Sequence, residues 1–118
     1  MANTTINDTY QSILGNPVTL EMHIGHGQPS RTSVLLGNIK IMETLESDFS
    51  IELTHFKNPL KDAVLRVRCN IQDRMLSGKS FVKFTLTDGV TIFDSELPEN
   101  EIIPTGGFIV YTYRILFV

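Results

Sequence analysis

The chain has 118 residues, of which 42% are hydrophobic, and its formal net charge at pH 7 is −3. This length suits one domain, and this hydrophobic fraction argues against wholesale disorder. The negative net charge argues against nonspecific nucleic-acid binding, which requires a basic surface to displace counterions.

Three features of the sequence bear on its compartment. The longest apolar runs are far too short to span a bilayer. No charged start followed by an apolar segment marks a signal peptide. The single cysteine, Cys69, excludes an internal disulfide and fits a reducing environment. We therefore expect a cytoplasmic protein with no membrane contact.

Residues 1–16 are polar, and Asn, Thr and Asp dominate them. We expect only Ile13 and Leu14 of this segment to dock on a core. The composition predicts a loosely ordered N-terminal arm over 1–16, followed by a single β-sandwich domain over 17–118.

From residue 17 onward, apolar and polar residues alternate with the period of two that half-buried strands show. The first such run carries the apolar face Val18, Leu20, Met22 and Ile24. Further runs follow at 32–36, 39–41 and 49–53, and Gly37-Asn38 interrupts them with a turn signal.

The second half of the chain begins with a turn over 56–62, because Asn-Pro disfavours both helix and strand ladder. The cleanest strand follows, with the apolar face Ala63, Leu65, Val67, Cys69 and Ile71. After the next run, at 82–86, Asp88-Gly89 is a strong hairpin signal. The last run, 108–118, carries the apolar face Ile109, Tyr111, Tyr113, Ile115 and Phe117.

About eight short strands separated by turn signals predict an all-β protein. The expected architecture is an antiparallel β-sandwich, with a small β-barrel as the alternative. No amphipathic helical pattern competes with this interpretation.

The segment "EMHIGHGQPSRTSV", residues 21–34, has the residue types most typical of a chemical site. A zinc site would need three or four converging ligands, drawn from His23, His26, His55 and Cys69. Cys69 falls on the predicted core face and His23 on the solvent face, so we expect no metal and no other cofactor. Gly25 and Gly27 lack the spacing of phosphate-binding loops and suit a connecting turn between antiparallel strands.

Catalytic motifs are weak throughout the chain. No Gly-x-Ser-x-Gly nucleophile elbow is present, and the acidic residues cluster in predicted loops, where carboxylates are usually solvated. We therefore expect a protein that is not an enzyme. A metal-dependent enzyme built on His23, His26 and His55 is the weakest of the functional hypotheses.

The last run differs from the others because its second face is also apolar. Phe108, Val110, Leu116 and Val118 lie opposite the tyrosine face. A strand that is apolar on both faces is buried by a second layer or by a partner chain. These four residues are the candidate interface of a homo-oligomer or protein complex.

The leading functional hypothesis is therefore a non-catalytic β-sandwich interaction or assembly module that self-associates. The alternative is a small-ligand or carbohydrate-binding domain that uses loops at one end of the sandwich. Its candidate binding residues are His26, Arg31 and His55.

Overall fold

The computed structural model describes residues 2–13, 15–25, 30–72, 79–80, 82–96, 101–102 and 108–118. Its strands are β1 (Ala2–Tyr10), β2 (Thr19–Ile24), β3 (Ser30–Leu36), β4 (Ile39–Thr44), β5 (Asp48–Glu52), β6 (Val64–Gln72), β7 (Lys79–Ser80), β8 (Val82–Thr87), β9 (Ile92–Glu96), β10 (Glu101–Ile102) and β11 (Phe108–Phe117). A 3₁₀ helix, η1 (Leu53–His55), follows β5. None of the helical structure in these ranges is long and apolar enough to cross a membrane.

Two sheets form a sandwich, as the period-two alternation predicts. One has five strands in the order β1-β11-β6-β3-β4, and the other has four in the order β5-β2-β8-β9. The short strands β7 and β10 pair separately. The two sheets are open, with β1, β4, β5 and β9 at their edges. The all-β sandwich is thus confirmed, and the alternative of a small barrel is wrong.

The core lies between the inner faces of the two sheets. The predicted apolar faces of β6 and β11 are buried, including Cys69, which is fully inaccessible to solvent. Tyr113 of β11 stacks on Phe84 of β8 across the sandwich, with ring centroids 4.2 Å apart and an interplanar angle of 7°. This contact packs the central strands of the two sheets against each other.

The N-terminal segment differs from the sequence prediction. Residues 2–10 form strand β1, which pairs in parallel with β11 over nine positions, from Ala2 opposite Ile109 to Tyr10 opposite Phe117. The expected loose arm is therefore wrong for residues 2–10. The physical reason is that β11 supplies the backbone partners of β1, so β1 needs no apolar alternation of its own.

The connection after β2 also differs from its prediction. β2 belongs to the four-stranded sheet and β3 to the five-stranded sheet. The segment between them therefore crosses from one sheet to the other instead of forming a hairpin. Residues 26–29 of this connection lie outside the described residues.

The sandwich is elongated, with principal extents of 45 × 25 × 21 Å. We call one of its ends the Val118 end. It contains the end of β11, the β3–β4 turn, η1 and the β8–β9 turn. Val118 N–H donates to Tyr10 O, Gly37 N–H to Val64 O and Leu53 N–H to Val18 O. Thr87, which precedes the β8–β9 turn, lies opposite Thr19 at the start of β2. The opposite end contains the end of β2 and the start of β5, where Ile24 N–H donates to Ser47 O.

Candidate functional site

The structure does not bring the predicted ligand-binding residues together. Arg31 lies opposite Asn70 in the β3–β6 ladder, and Asn70 lies opposite Val110. His55 ends η1, at the Val118 end. Eight residues of strand separate the levels of Val110 and Val118, roughly 25 Å along the sheet. Arg31 and His55 therefore cannot share a ligand, and His26 lies outside the described residues.

The histidine-rich segment places His23 on the exposed face of the four-stranded sheet. Its Nδ1 forms an ion pair with Asp48 of β5, and both side chains are more than half exposed. Cys69 lies on the other side of the sheet, in the core. Among the residues that the structure describes, no group of three or more His, Cys, Asp or Glu side chains could hold a metal ion.

The candidate interface on β11 has a different environment from the expected one. Val110 is only 4% exposed within this single chain, and β1 and β6 occupy both edges of β11. Val110 is therefore not available to a partner. Leu116 is half-buried and Val118 is 47% exposed, whereas the side chain of Phe108 lies outside the described part of the chain.

Exposed apolar side chains concentrate at the Val118 end. The described part of the chain has seven large exposed apolar side chains, of which six lie there: Ile13, Ile39, Phe56, Val90, Ile92 and Val118. We call these six the end-face residues. The seventh, Leu45, follows β4 near the opposite end and is 69% exposed.

The elements that carry the end-face residues account for this clustering. Ile13 lies in the connection between β1 and β2, and Phe56 directly follows η1. Val90 occupies the β8–β9 turn, where Gly89 adopts the positive φ of +92° that the predicted Asp-Gly hairpin requires. Ile39 and Ile92 are the first residues of β4 and β9, beside their turns.

A cleft of about 240 Å³ opens at the same end, between the β1–β2 connection, the segment after η1 and the end of β11. Its apolar walls include Leu60 and Phe117, which are nearly fully buried. Its polar groups include the side-chain amides of Gln11 and Asn58, and Lys61 is the one charged side chain among its lining residues. Chemically, this lining suits a small polar ligand that combines an apolar face with hydrogen-bonding groups.

Asp88 connects the β8–β9 turn to the segment after β1. Its Oδ2 accepts a hydrogen bond of 2.7 Å from Ile13 N–H, and its Oδ1 accepts bonds from Val90 N–H and Thr91 N–H. The hydrogen bond from Ile13 N–H is the largest of the effects that hold the pKa of Asp88 well below its usual value. Desolvation opposes this shift, and the two turn bonds add to it.

Tyr10 makes a second link between the same two segments. Its hydroxyl lies 2.9 Å from Thr91 O and 3.1 Å from Thr91 Oγ1. Its ring packs edge-on against Phe117 with centroids 6.0 Å apart. Sequence reasoning recognised Asp88 only as a turn residue and missed both links, because their partners are more than seventy positions apart in the chain.

Comparison with known proteins provides no further assignment. No family model matches the chain, and neither a curated protein nor a solved structure is significantly similar to it. Its candidate function therefore depends on the geometry of the Val118 end.

Proposed function

We propose that this protein is a non-catalytic β-sandwich assembly module that associates with a second copy of itself through the Val118 end. The observation that carries the proposal is the concentration of six of the seven exposed large apolar side chains of the described residues at that end. Scattered exposed apolar residues are normal, whereas clustered ones are typical of contact surfaces.

The size of the cluster is adequate for association. Full burial of one Val, Ile or Phe side chain contributes about 1.5–3 kcal/mol. Association costs an estimated ~4–15 kcal/mol in lost freedom and side-chain ordering. One or two side chains do not offset that cost. The end-face residues are 43–69% exposed, so each contributes only part of that amount, and several from each copy must lose solvent contact together to offset the cost.

The edge strands β4 and β5 are less suited to self-association than the Val118 end. β4 contains a register shift opposite Val34 and Leu35, and its Lys40 pairs with Glu43 at 3.5 Å. The edge strand β5 has five residues and carries exposed carboxylates at both of its ends. Bulges, short lengths and charges are the features by which natural edge strands resist pairing with other chains.

The chemistry of the buried cysteine argues against a catalytic thiol. Burial raises the pKa of the Cys69 thiol to about 11, so the reactive thiolate is scarce at neutral pH. Cys69 forms no disulfide, which is the usual state of thiols in a reducing compartment. We propose a cytoplasmic location for the assembly.

The first prediction is that charge at the Val118 end abolishes association. Val90→Lys combined with Val118→Lys should convert the wild-type oligomer into a folded monomer, because each lysine would be desolvated in the interface. The measurement is light scattering coupled to size exclusion at high micromolar concentration, with circular dichroism as the check on folding.

Leu45→Lys is the matched control, since Leu45 and Val90 are both 69% exposed but lie at opposite ends. It should leave the oligomer intact. A monomeric wild-type chain at high micromolar concentration would exclude the proposed function. Loss of the oligomer in the Leu45 variant as well would place the interface elsewhere.

The alternative function, a small-ligand or carbohydrate-binding domain, stays a prediction. Its support is now the cleft with the amides of Gln11 and Asn58, since Arg31 and His55 lie far apart. It ranks second because only one charged group lines the cleft, and because two of the end-face residues, Ile13 and Val118, belong to its lining.

A further inference from the structure

Strand β1 is attached to the rest of the sandwich through a single neighbour. It pairs with β11 and, within the described residues, with no other strand. Its contribution to the core is small. Among the β1 side chains that the structure describes, Tyr10 is buried, Ile6 is half-buried, and Thr5, Asn7, Asp8 and Thr9 are exposed.

Most of the attachment of β1 is therefore backbone pairing over nine positions. Backbone hydrogen bonds do not depend on which molecule supplies the strand, so the β1 of a second copy can make the same contacts with β11. The Tyr10 contacts with Thr91 and Phe117 would also be reproduced between copies, and they set the register.

The connection from β1 to β2 has the properties of a hinge. Residues 11–18 lead from the five-stranded sheet to the four-stranded sheet, and eight residues can extend over roughly 25 Å. The connection bends at the Val118 end, where Asn16 N–H donates to Ile13 O and Gly15 has a φ of +91°. Extension of this hinge would carry β1 away from its own sandwich.

We propose that two copies of this chain exchange their β1 strands reciprocally, so that each β1 completes the five-stranded sheet of the other copy. This inference rests on the proposed self-association and names its mechanism. In a two-fold exchanged dimer both hinges cross near the symmetry axis. Because the hinge lies at the Val118 end, the end-face residues on the hinge side, Ile13, Val90 and Val118, face those of the other copy there.

The test uses a pair of cysteines that report which chain supplies β1. Asn7 of β1 lies opposite Arg114 of β11, and both side chains are exposed. The double variant Asn7→Cys with Arg114→Cys is treated under native conditions with a short bis-maleimide and then separated on a denaturing gel. The buried Cys69 does not compete for the reagent.

If the strands exchange, most of the cross-linked protein migrates at twice the chain mass. If they do not, the bridge forms within one chain and the product migrates at the mass of one chain. An oligomer in solution that yields only the single-chain product overturns strand exchange but leaves self-association standing. A chain that is monomeric in solution overturns both. The single variant Asn7→Cys controls for collisional cross-linking.

A second variant keeps the test decisive if the double-cysteine chain folds poorly. Insertion of four Gly and Ser residues after Gly15 lengthens the hinge, which relieves the constraint on returning β1 to its own sheet. The inserted chain should shift toward monomer in light scattering. An unchanged oligomer at every concentration would count against exchange, because an end-to-end contact alone does not depend on hinge length.

Discussion

At the scale of single residues, two tyrosines of the core differ in what their hydroxyl groups contact. The Tyr10 hydroxyl bonds to Thr91. The Tyr113 hydroxyl is buried and has no hydrogen-bond partner among the residues that the structure describes, while its ring stacks on Phe84. Burial is the main cause that raises the pKa of Tyr113. The ring of Tyr113 therefore stabilises the core, whereas the burial of its hydroxyl group destabilises it.

Phenylalanine substitutions at these two positions should have different effects. Tyr113→Phe removes an unpartnered polar group, so the free energy of unfolding should stay unchanged or rise by up to about 1 kcal/mol. Tyr10→Phe removes a bonded hydroxyl and leaves Thr91 O without that donor, so the free energy of unfolding should fall by about 1 kcal/mol. Urea denaturation of both variants measures the difference. A marked loss of stability in Tyr113→Phe would show that its hydroxyl is bonded in solution.

At the scale of elements, the β8–β9 turn and the hinge form one unit through the Asp88 carboxylate. Three backbone N–H groups converge on it. Two belong to its own turn, where Asp is favoured because its side chain bonds to the backbone a few residues on. The third belongs to Ile13, so Asp88 fixes the position at which the chain leaves β1.

The stabilisation from Asp88 should depend on pH with a definite sign. Its folded-state pKa lies below the ordinary aspartate value of ~3.9, so the folded state favours the charged carboxylate. The stabilisation is fully present above about pH 4 and is lost as the pH falls further through the folded-state pKa. In urea denaturation, Asp88→Asn should be less stable than the wild type at pH 7, and the difference should shrink below pH 4.

Asp94→Asn is a suitable control for the Asp88 variant. Asp94 accepts one exposed hydroxyl bond, from Thr85 of the neighbouring strand, so its removal should lower stability less at pH 7. The free energy of unfolding of the wild type should exceed that of Asp88→Asn by an amount that falls with pH. If that amount stays constant from pH 7 to pH 2, the carboxylate does not bind the hinge as described.

At the scale of the whole molecule, the long axis and the position of the end-face residues predict the shape of the assembly. The longest extent of the sandwich is 45 Å, and we assign it to the strand direction because the ten residues of β11 alone span roughly 33 Å. Six of the seven exposed large apolar side chains of the described residues lie at one end of the strands. A dimer joined at the Val118 end should therefore have a maximum dimension close to twice the length of one chain. Small-angle X-ray scattering of the oligomer measures this value. A dimer whose length stays near 45 Å would be joined side by side and would contradict the proposed interface.

The sequence by itself determined the alternating faces of the strands. The burial of Leu65, Val67, Cys69 and Ile71 in β6 follows the predicted pattern, as does the turn at Asp88-Gly89. These features were predictable because alternation and turn conformation depend on residues a few positions apart. The same local reasoning found His23 on a solvent face, where the structure places it.

Only the tertiary structure decided which strands meet and which residues share an end. β1 has few apolar residues, and its strand conformation depends on β11, which lies more than a hundred positions away. Val110 is buried although it lies outside the core cluster that takes in the other face of β11, and alternation alone does not determine that burial. The gathering of Ile13, Val90 and Val118 at one end likewise follows from contacts between distant segments. Such contacts leave no periodic trace in the chain, because each segment satisfies its own pattern regardless of the partner that it meets.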